Sequence, residues 1–339
     1  MDGIAALSEI AYWMERARAE TRRVEAYRKA AWALAGLPVG EMEERIAAAS
    51  LTEVPSVGKS TSAVVMEASR GVVPKKLMEL RERGASPLAM GGEGLRGQLR
   101  GDLHSHSNWS DGGSPIEEMV EAARRVGHDY LALTDHSPRL TIARGLSPER
   151  LTEQIDVIAE INATYDDFSL LPAIEVDILE DGGLDQTPNM LRQLDVVVAS
   201  VHSKLRSDAE TMTMRMVSAI ANPFTNVLGH CTGRLVEGSR GIRPESQFDA
   251  EVVFAACARF EVAVEINSRP ERRDPPSRLI ALALEAGCLF SIDTDAHAPG
   301  QLSFQDYGCA RAAANDIPAE RIVNTWPLDR LLEWTHAKR

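Results

Sequence analysis

The spacing of apolar residues changes near residue 100 and divides the chain into two parts. Before that point, apolar residues recur every three or four positions, which predicts helices over 5–36, 42–49 and 59–70. Turns that contain proline and glycine separate these segments. We therefore expect residues 1–83 to form a small all-α domain.

After residue 100, short apolar runs alternate with amphipathic segments of helix length. This alternation predicts an α/β domain in which helices cover a parallel sheet. About seven strand–helix units in roughly 240 residues suit a (β/α) barrel better than an open sheet. The predicted strands lie at 99–103, 129–134, 169–175, 195–201, 226–229, 262–266 and 289–293.

The segment between the two parts, GASPLAMGGEGLRGQ at 84–98, is rich in glycine and other small residues. Such a composition is typical of a linker. The expected organisation is therefore a helical domain over 1–83, a linker over 84–98 and a barrel domain over 99–339.

The charge of the chain is unevenly distributed. Its net charge of −13 argues against a protein that coats nucleic acid through charge alone. Residues 1–100 hold 15 Lys or Arg and 13 Asp or Glu, whereas residues 101–339 hold 22 and 37. A near-neutral first part and an acidic second part indicate two units with different tasks.

Cysteine usage and the apolar runs predict a cytoplasmic protein with no membrane partner. The four cysteines are widely spaced and form no CxxC pair, as expected of reduced thiols. The N-terminal segment has acidic residues within its apolar pattern and no basic stretch, so no secretory signal is expected. No apolar run approaches the length of about 18 residues that a membrane span needs.

Histidines and carboxylates gather at the carboxyl ends of the predicted strands, where active sites of parallel barrels form. Six of the eight histidines lie there, namely His104, His106, His136, His202, His230 and His297. The same junctions supply Asp111, Asp135, Glu175, Asp293 and Asp295. Imidazole and carboxylate together suit zinc, manganese or iron better than magnesium or calcium. The sequence therefore predicts a metal site.

The motifs at these junctions resemble those of the PHP (polymerase and histidinol phosphatase) superfamily. They occur in the family's order over roughly residues 100–325 and are most similar to the PHP domain at the C-terminus of bacterial family X DNA polymerases. The motifs are GDLHSHSNWSDG (101–112), LTDHS (133–137), AIEVDIL (173–179), VVASVHS (197–203), LGHCTGR (228–234), EINSRPERRD (265–274) and SIDTDAH (291–297). One departure is Cys231, where that subgroup often has proline.

The resemblance implies a distorted seven-stranded barrel that holds three divalent ions. The implied ligands are His104, His106, Glu175 and Asp295 for the first ion, Glu175, His202 and His230 for the second, and Asp111, His136 and His297 for the third. Asp111 stands where some relatives have histidine, a difference that bears on the metal preference of the third position. Catalysis is expected to depend on His104, His106, Glu175, His202, Asp295 and Arg269.

Further residues beside these motifs have two open interpretations. Lys204, Arg234 and Arg269 either clamp a substrate phosphate or are solvated surface bases, and Arg269 is the first candidate for the clamp. Asp135 and Asp293 adjoin expected ligands and either orient imidazole rings or have a structural role.

The first 83 residues resemble the small N-terminal DNA-binding domain of family X polymerases. The similarity lies in VEAYRKAAWALAGLP (24–38) and VPSVGKSTSAVVMEASRG (54–71), which is similar to a helix-hairpin-helix motif with Ser56 where glycine is usual. Backbone N–H groups at such a turn hold a DNA phosphate. The expected DNA-binding residues are Val57, Gly58, Lys59 and Ser60, with a basic edge from Arg22, Arg23, Arg28 and Lys29. The alternative is a helical domain that only packs or dimerises.

Three functional hypotheses follow from these patterns. The first is a DNA-repair phosphoesterase with zinc or manganese, which hydrolyses DNA 3′ ends by metal-activated hydroxide as a 3′–5′ exonuclease or a 3′-phosphatase. The second is a small-molecule phosphatase of the histidinol-phosphatase type, and the third is a non-catalytic DNA-binding accessory protein. Polymerase activity is not expected, since family X polymerases have a nucleotidyltransferase domain where this chain has only residues 84–98.

Overall fold

The N-terminal unit, Met1–Pro87, is helical in the computed structural model, which describes residues 1–238 and 241–339. Its helices are α1 (Gly3–Arg16), α2 (Thr21–Ala35), α3 (Glu41–Ala47), α4 (Lys59–Ser69) and α5 (Lys75–Gly84), with a 3₁₀ turn at Leu51–Glu53. Helix α1 packs against α2, α4 and α5. Its buried side chains recur at helical spacing, as the apolar pattern predicts.

The predicted helical segment over 5–36 is divided into α1 and α2 by a turn at Arg18. This residue has a left-handed φ of 56°. Its N–H donates to the carbonyl of Glu15, and the N–H of Ala19 donates to the carbonyl of Met14. These two bonds end α1 in the manner of a Schellman motif, which usually contains glycine at the left-handed position. The sequence carries no glycine there, so its pattern does not signal the break.

A buried ion pair joins α1 to α2. The Arg28 guanidinium donates to both carboxylate oxygens of Glu15, each at 2.6 Å, and both side chains are 6% exposed. Arg28 therefore does not belong to the predicted basic edge, because its charge is turned into the core of the unit. Lys29 contacts Glu25 at the surface, at 2.8 Å.

Replacing Arg28 with alanine is expected to lower the free energy of unfolding by about 3–5 kcal/mol, because Glu15 would be left as an unpaired buried charge. Scanning calorimetry or urea denaturation of the full chain measures this change. Lys29→Ala, which breaks the exposed pair, is the matched control and should cost no more than about 1 kcal/mol. Equal effects of the two substitutions would contradict this assignment.

The second unit, Leu88–Arg339, is built on a seven-stranded parallel sheet whose strands lie in chain order. The strands are β1 (Gly101–Ser105), β2 (Tyr130–Leu133), β3 (Ser169–Asp177), β4 (Val196–Ser200), β5 (Val227–Leu228), β6 (Ala263–Asn267) and β7 (Phe290–Asp293). A parallel bridge between Ser105 and Ala296 brings the two edges of the sheet together. The prediction of a distorted seven-stranded barrel that follows a helical domain in the sequence is confirmed.

Helices follow most strands of this unit, in agreement with the alternating pattern. The helices after β1 are α7 (Ile116–Arg125), α8 (Pro148–Asn162), α9 (Pro188–Leu191), α10 (Ala209–Ile220), α11 (Ala250–Arg259), α12 (Ser277–Glu285), α13 (Gln305–Ala314) and α14 (Leu328–His336), and α6 (Glu93–Arg96) precedes β1. Short 3₁₀ segments lie at Thr141–Ala143, Pro299–Phe304, Ala319–Arg321 and Val323–Thr325. Helix α6 lies within the predicted linker segment and packs against α13. Among the described residues, none of the helices is both long enough and apolar enough to cross a membrane.

Strand β3 shows how the barrel presents functional groups. Alternate residues of a strand point to the same side of the sheet. Leu171 and Ala173 belong to one apolar cluster, whereas Ile174 and Val176 belong to another. The side that begins with Leu171 continues to Glu175, so the strand carries this carboxylate to its carboxyl end.

Candidate metal centre

Glu175 lies at the centre of a ring of histidines. Its carboxylate oxygens lie between 2.9 and 3.6 Å from ring nitrogens of five histidines. These are His104, His106, His136, His202 and His230. Two of these histidines come from the HxH motif at the end of β1, and each of the other three follows a different strand. The structure thus brings together residues that lie as far as 71 positions before and 55 positions after Glu175.

Two further carboxylates extend the cluster. Asp295 lies 3.5 Å from His106 Nε2 and has a left-handed φ of 52°, a strained conformation of the kind that is concentrated at functional sites. Asp111 lies 3.4 Å from His136 Nε2 and 3.3 Å from His297 Nε2. All nine residues predicted as ligands therefore meet in one region at the carboxyl end of the barrel.

The candidate ligand atoms form three overlapping groups in which all atoms lie within 4.8 Å of one another. The groups are His106, Asp111, His136 and His297; His104, His106 and Glu175; and His136, Glu175 and His202. The third group contains His136 where the family resemblance assigns His230. Nevertheless, His230 Nε2 lies 2.9 Å from Glu175.

The unpaired ring nitrogens of the cluster fit metal ions. Seven buried ring nitrogens, on His104, His106, His136, His202 and His230, have no hydrogen-bond partner among the described residues. Leaving a buried polar group without a hydrogen bond costs about 1–3 kcal/mol. Seven such nitrogens in one place therefore indicate a common partner. Imidazole nitrogens combined with carboxylate oxygens form a donor set suited to zinc, manganese or iron.

The cluster perturbs the pKa values of its own members. Although burial opposes ionisation, His104, His202 and His136 hold the pKa of Glu175 well below its usual value. Burial likewise opposes protonation of His104, but Glu175 and Glu265 raise its pKa well above the usual value. Burial lowers the pKa of His106 to about 3, assisted by His297 and His136. A buried carboxylate surrounded by imidazoles of opposed basicity is an arrangement found at metal and catalytic sites.

Two carboxylates that the sequence analysis did not identify hold candidate ligand histidines in place. Glu265 accepts from His104 Nδ1 at 2.6 Å and from the backbone N–H of His230 at 2.5 Å. Asp177 accepts from the backbone N–H of His202 at 3.1 Å and lies 3.5 Å from its Nδ1. The bond to His104 Nδ1 is of the kind that fixes the orientation and tautomer of a ligand histidine, whereas Asp177 holds the backbone of His202.

Asp135 and Asp293 contact no imidazole ring in the described structure, and their bonds favour a structural role. Asp135 accepts from Ser107, Ser110 and Gln154. Asp293 accepts from the N–H of Leu103 at 2.9 Å and from Asn324 at 2.8 Å, which ties β7 to β1. Burial and the neighbouring Glu265 raise the pKa of Asp293 to about 6.

Of the three predicted phosphate-binding bases, Arg269 lies nearest to the ligands. It donates to the carbonyl of Asp295 and to His297 Nδ1, both at 3.0 Å. Arg234 instead contacts the carbonyls of Arg272 and Arg273 together with Glu245, and Lys204 is exposed.

Arg272 is a basic residue of the site that the sequence analysis did not single out. It is buried and donates from Nε to Asp295 at 3.1 Å. It shares the segment EINSRPERRD with Arg269 and Arg273, so its position gives no sequence signal that distinguishes it.

The predicted DNA-binding turn lies at the N-terminus of α4. Ser56 has a left-handed φ of 68°, which explains why glycine is usual at this position. Gly58 precedes the helix, and its N–H donates to Thr61 Oγ1 at 2.9 Å. The first N–H groups of α4, including those of Lys59 and Ser60, have no intrahelical acceptor, and the helix dipole favours an anion there.

Comparison with known proteins gives matches in both units. Residues 102–269 match the PHP domain family, and residues 2–70 match a helix-hairpin-helix domain family. The DNA polymerase/3'-5' exonuclease PolX of Bacillus subtilis is 36% identical over 228 residues, which are 67% of this chain and 39% of that protein. The chain thus spans well under half the length of this relative.

Smaller relatives are covered almost completely. A protein of Citrobacter koseri named "Probable phosphatase" is 27% identical over 256 residues, which are 70% of this chain and 94% of that protein. Among solved structures, histidinol phosphate phosphatase from Lactococcus lactis, complexed with zinc, L-histidinol and phosphate, is 19% identical with a TM-score of 0.44. That match covers 63% of this chain and 94% of the other.

Proposed function

Because this chain carries a PHP phosphoesterase domain and a helix-hairpin-helix domain, we propose that it hydrolyses phosphate esters at DNA 3′ ends, as a 3′–5′ exonuclease or a 3′-phosphatase. The observation that carries the proposal is the presence in one chain of the Glu175-centred histidine cluster and a hairpin turn at the start of α4. The first supplies phosphoester chemistry and the second supplies a contact for a DNA backbone.

Three divalent ions would be held by the nine clustered residues. His104, His106, Glu175 and Asp295 would hold the first ion, Glu175, His202 and His230 the second, and Asp111, His136 and His297 the third. When bound, such ions acidify a coordinated water and neutralise phosphate oxygens as charge develops. Zinc, manganese and iron all suit this donor set.

The remaining residues of the site position these groups and the substrate. Glu265 accepts from the ring of His104, and Asp177 accepts from the backbone N–H of His202, so that both histidines are held beside Glu175. Arg269 and Arg272 both contact Asp295. Their guanidinium groups lie where a phosphate drawn to the cluster would meet charge-assisted donors.

The substrate end of the proposal is tested with a 5′-labelled single-stranded oligonucleotide, incubated with the protein and manganese or zinc. A ladder of shortened products that is lost in His104→Ala is expected of a 3′–5′ exonuclease. Release of phosphate from a 3′-phosphorylated oligonucleotide, without a ladder, is expected of a 3′-phosphatase. An intact oligonucleotide in both assays would contradict the DNA proposal.

Lys59→Glu is expected to weaken DNA processing without affecting the chemistry. Losing one charge-assisted phosphate contact should raise KM for the oligonucleotide about tenfold. The slope of log KM against log salt concentration should also fall by about one. Hydrolysis of a small phosphate ester should not change. Arg70→Glu is the matched control, since Arg70 is exposed at the opposite end of the same helix. Identical KM values for both variants and the wild type would argue against DNA contact at this turn.

A small-molecule phosphatase is the second candidate. It is favoured by the phosphatase relative, 94% of which is covered by this chain. Hydrolysis of histidinol phosphate or another small monoester, together with an intact oligonucleotide, would support it. The completeness of the ligand set argues against a non-catalytic accessory role.

A further inference from the structure

We propose that Arg144 and Arg150 are positioning residues for the metal ion that Asp111 would hold. This inference rests on the proposed metal-dependent function. It adds that the two arginines fix the loop that carries one ligand of the third ion. Among the candidate ligands, Asp111 lies farthest beyond the end of its strand and has the most exposed side chain. It lies on the loop that follows β1, and its side chain is 38% exposed, whereas the Glu175 side chain is 1% exposed.

The two arginines hold this loop by its backbone. Arg144 donates to the carbonyls of Asn108 and Ser110, with the bond to Asn108 at 2.6 Å. Arg150 donates to the carbonyl of Trp109. Three consecutive carbonyls are thus occupied immediately before Asp111, and the position of Asp111 is defined by guanidinium groups from another segment of the chain.

A buried carboxylate also holds this loop. Asp135 accepts from the Ser107 N–H at 2.8 Å and from the Ser107 hydroxyl at 2.6 Å. It also accepts from the hydroxyl of Ser110. Between Ser107 and Ser110, the loop therefore has little freedom to move relative to the end of β2.

The segment that carries Arg144 is also tied to a second candidate ligand of the third ion. The N–H of Leu146 donates to the carbonyl of His136 at 2.7 Å. Arg144 itself has a left-handed φ of 56°, and a Cβ on Gly145 would lie 1.8 Å from the carbonyl oxygen of Ser137. A strained residue and a close backbone approach persist where the surroundings over-determine them. The segment 137–146 therefore fixes the position of Asp111 relative to His136.

Arginine suits this task better than lysine. Its planar group offers several donors in a fixed geometry, so that one side chain can serve two carbonyls. The acceptors of both arginines are backbone carbonyls. The two side chains are thus engaged in fixing the loop.

The test counts bound ions in the absence of substrate. Wild type, Arg144→Gln, Arg150→Gln and Asp111→Ala are loaded with manganese, passed through a desalting column and assayed by inductively coupled plasma mass spectrometry. Manganese titrations follow the weakest site. Arg139→Gln is the control, because Arg139 is exposed in the same segment and its described hydrogen bonds are made by its backbone, from its N–H to Asp185 and to its carbonyl from Thr141.

We expect three ions in wild type and in Arg139→Gln, and two in Asp111→Ala. The arginine variants should bind the weakest ion about 10- to 100-fold less tightly and the other two normally. In an Asp111→Ala background, Arg144→Gln should cause no further loss. Normal ion counts in both arginine variants would overturn the inference. So would loss of all ions together with a lower melting temperature in chelator, which indicates general damage.

The ion counts separate this inference from the proposed activity. A wild-type protein that binds three ions but hydrolyses no phosphate ester would contradict the function and still support the positioning role, provided that the variants behave as expected. A wild-type protein that binds no ion would overturn both.

Discussion

Replacing Glu175 with glutamine is expected to lower kcat for phosphoester hydrolysis at least about 10³-fold. The carboxylate lies within 3.6 Å of ring nitrogens from five histidines, so it is the one anion shared by the inner part of the cluster. A loss of several kcal/mol of transition-state stabilisation corresponds to this fall in rate, since each 1.36 kcal/mol is a factor of ten. Steady-state rates with a chromogenic phosphodiester or monoester measure the effect.

Glu180→Gln is the matched control for this substitution. Glu180 is exposed and lies in the loop that follows the same strand. The kcat of Glu180→Gln should remain within about twofold of wild type, because a substitution at the surface, away from the metal cluster, changes little. A Glu175→Gln variant with near-normal kcat would remove Glu175 from the proposed mechanism.

Removing the metal ions with a chelator is expected to lower the melting temperature of the protein by about 8–16 °C. Cations that bind only the folded state stabilise it by about 4 kcal/mol when present at 1,000 times their dissociation constant. In a unit of this size, each kcal/mol changes Tm by roughly 2–4 °C. The ring nitrogens that lose their ions are buried, so they cannot turn to water without rearrangement.

Calorimetry with and without chelator measures this second effect. Readdition of manganese or zinc should restore the melting temperature. The Glu175→Gln variant is a useful comparison, because its melting temperature should respond much less to chelator. An unchanged wild-type melting temperature after verified metal removal would show that the cluster does not need ions for its stability.

The sequence predicts the barrel and the main ligands because both depend on local patterns. A parallel barrel brings all strand ends to one face, so each His or Asp after an apolar run is a candidate without any knowledge of its neighbours. This pattern selects six histidines and five carboxylates, and the family resemblance reduces them to nine ligands. All nine lie in the cluster, whereas Asp135 and Asp293 contact no imidazole ring in the described structure. Which ligands share an ion depends on side-chain directions, and the place of His136 beside Glu175 and His202 illustrates this.

The residues that hold the ligands were harder to identify. Glu265 contacts His104 across 161 positions, and no local pattern links the two. Asp177 could have been found, since it lies two positions after Glu175 on the same strand and so faces the same side. Arg272 and Arg269 share a segment with Arg273, and only their contacts with Asp295 distinguish the first two.

In the helical unit, charge alone was a poor guide. Arg28 belongs by sequence to a basic run with Lys29, but helical geometry turns it toward Glu15 in the core. The break at Arg18 was also missed, because a non-glycine residue takes the left-handed conformation that ends α1. The turn at Ser56 likewise uses a left-handed residue other than glycine, but here the similarity to a helix-hairpin-helix identified it.

The most direct test of the account is an anomalous-scattering map from crystals of the manganese-loaded protein. We expect strong peaks within coordination distance of Glu175, including one between His104 and His106 and another near His202 and His230. A third peak is expected between Asp111 and His297. A well-ordered cluster without anomalous density, in crystals grown with excess manganese and again with zinc, would contradict a metal-dependent mechanism for this chain.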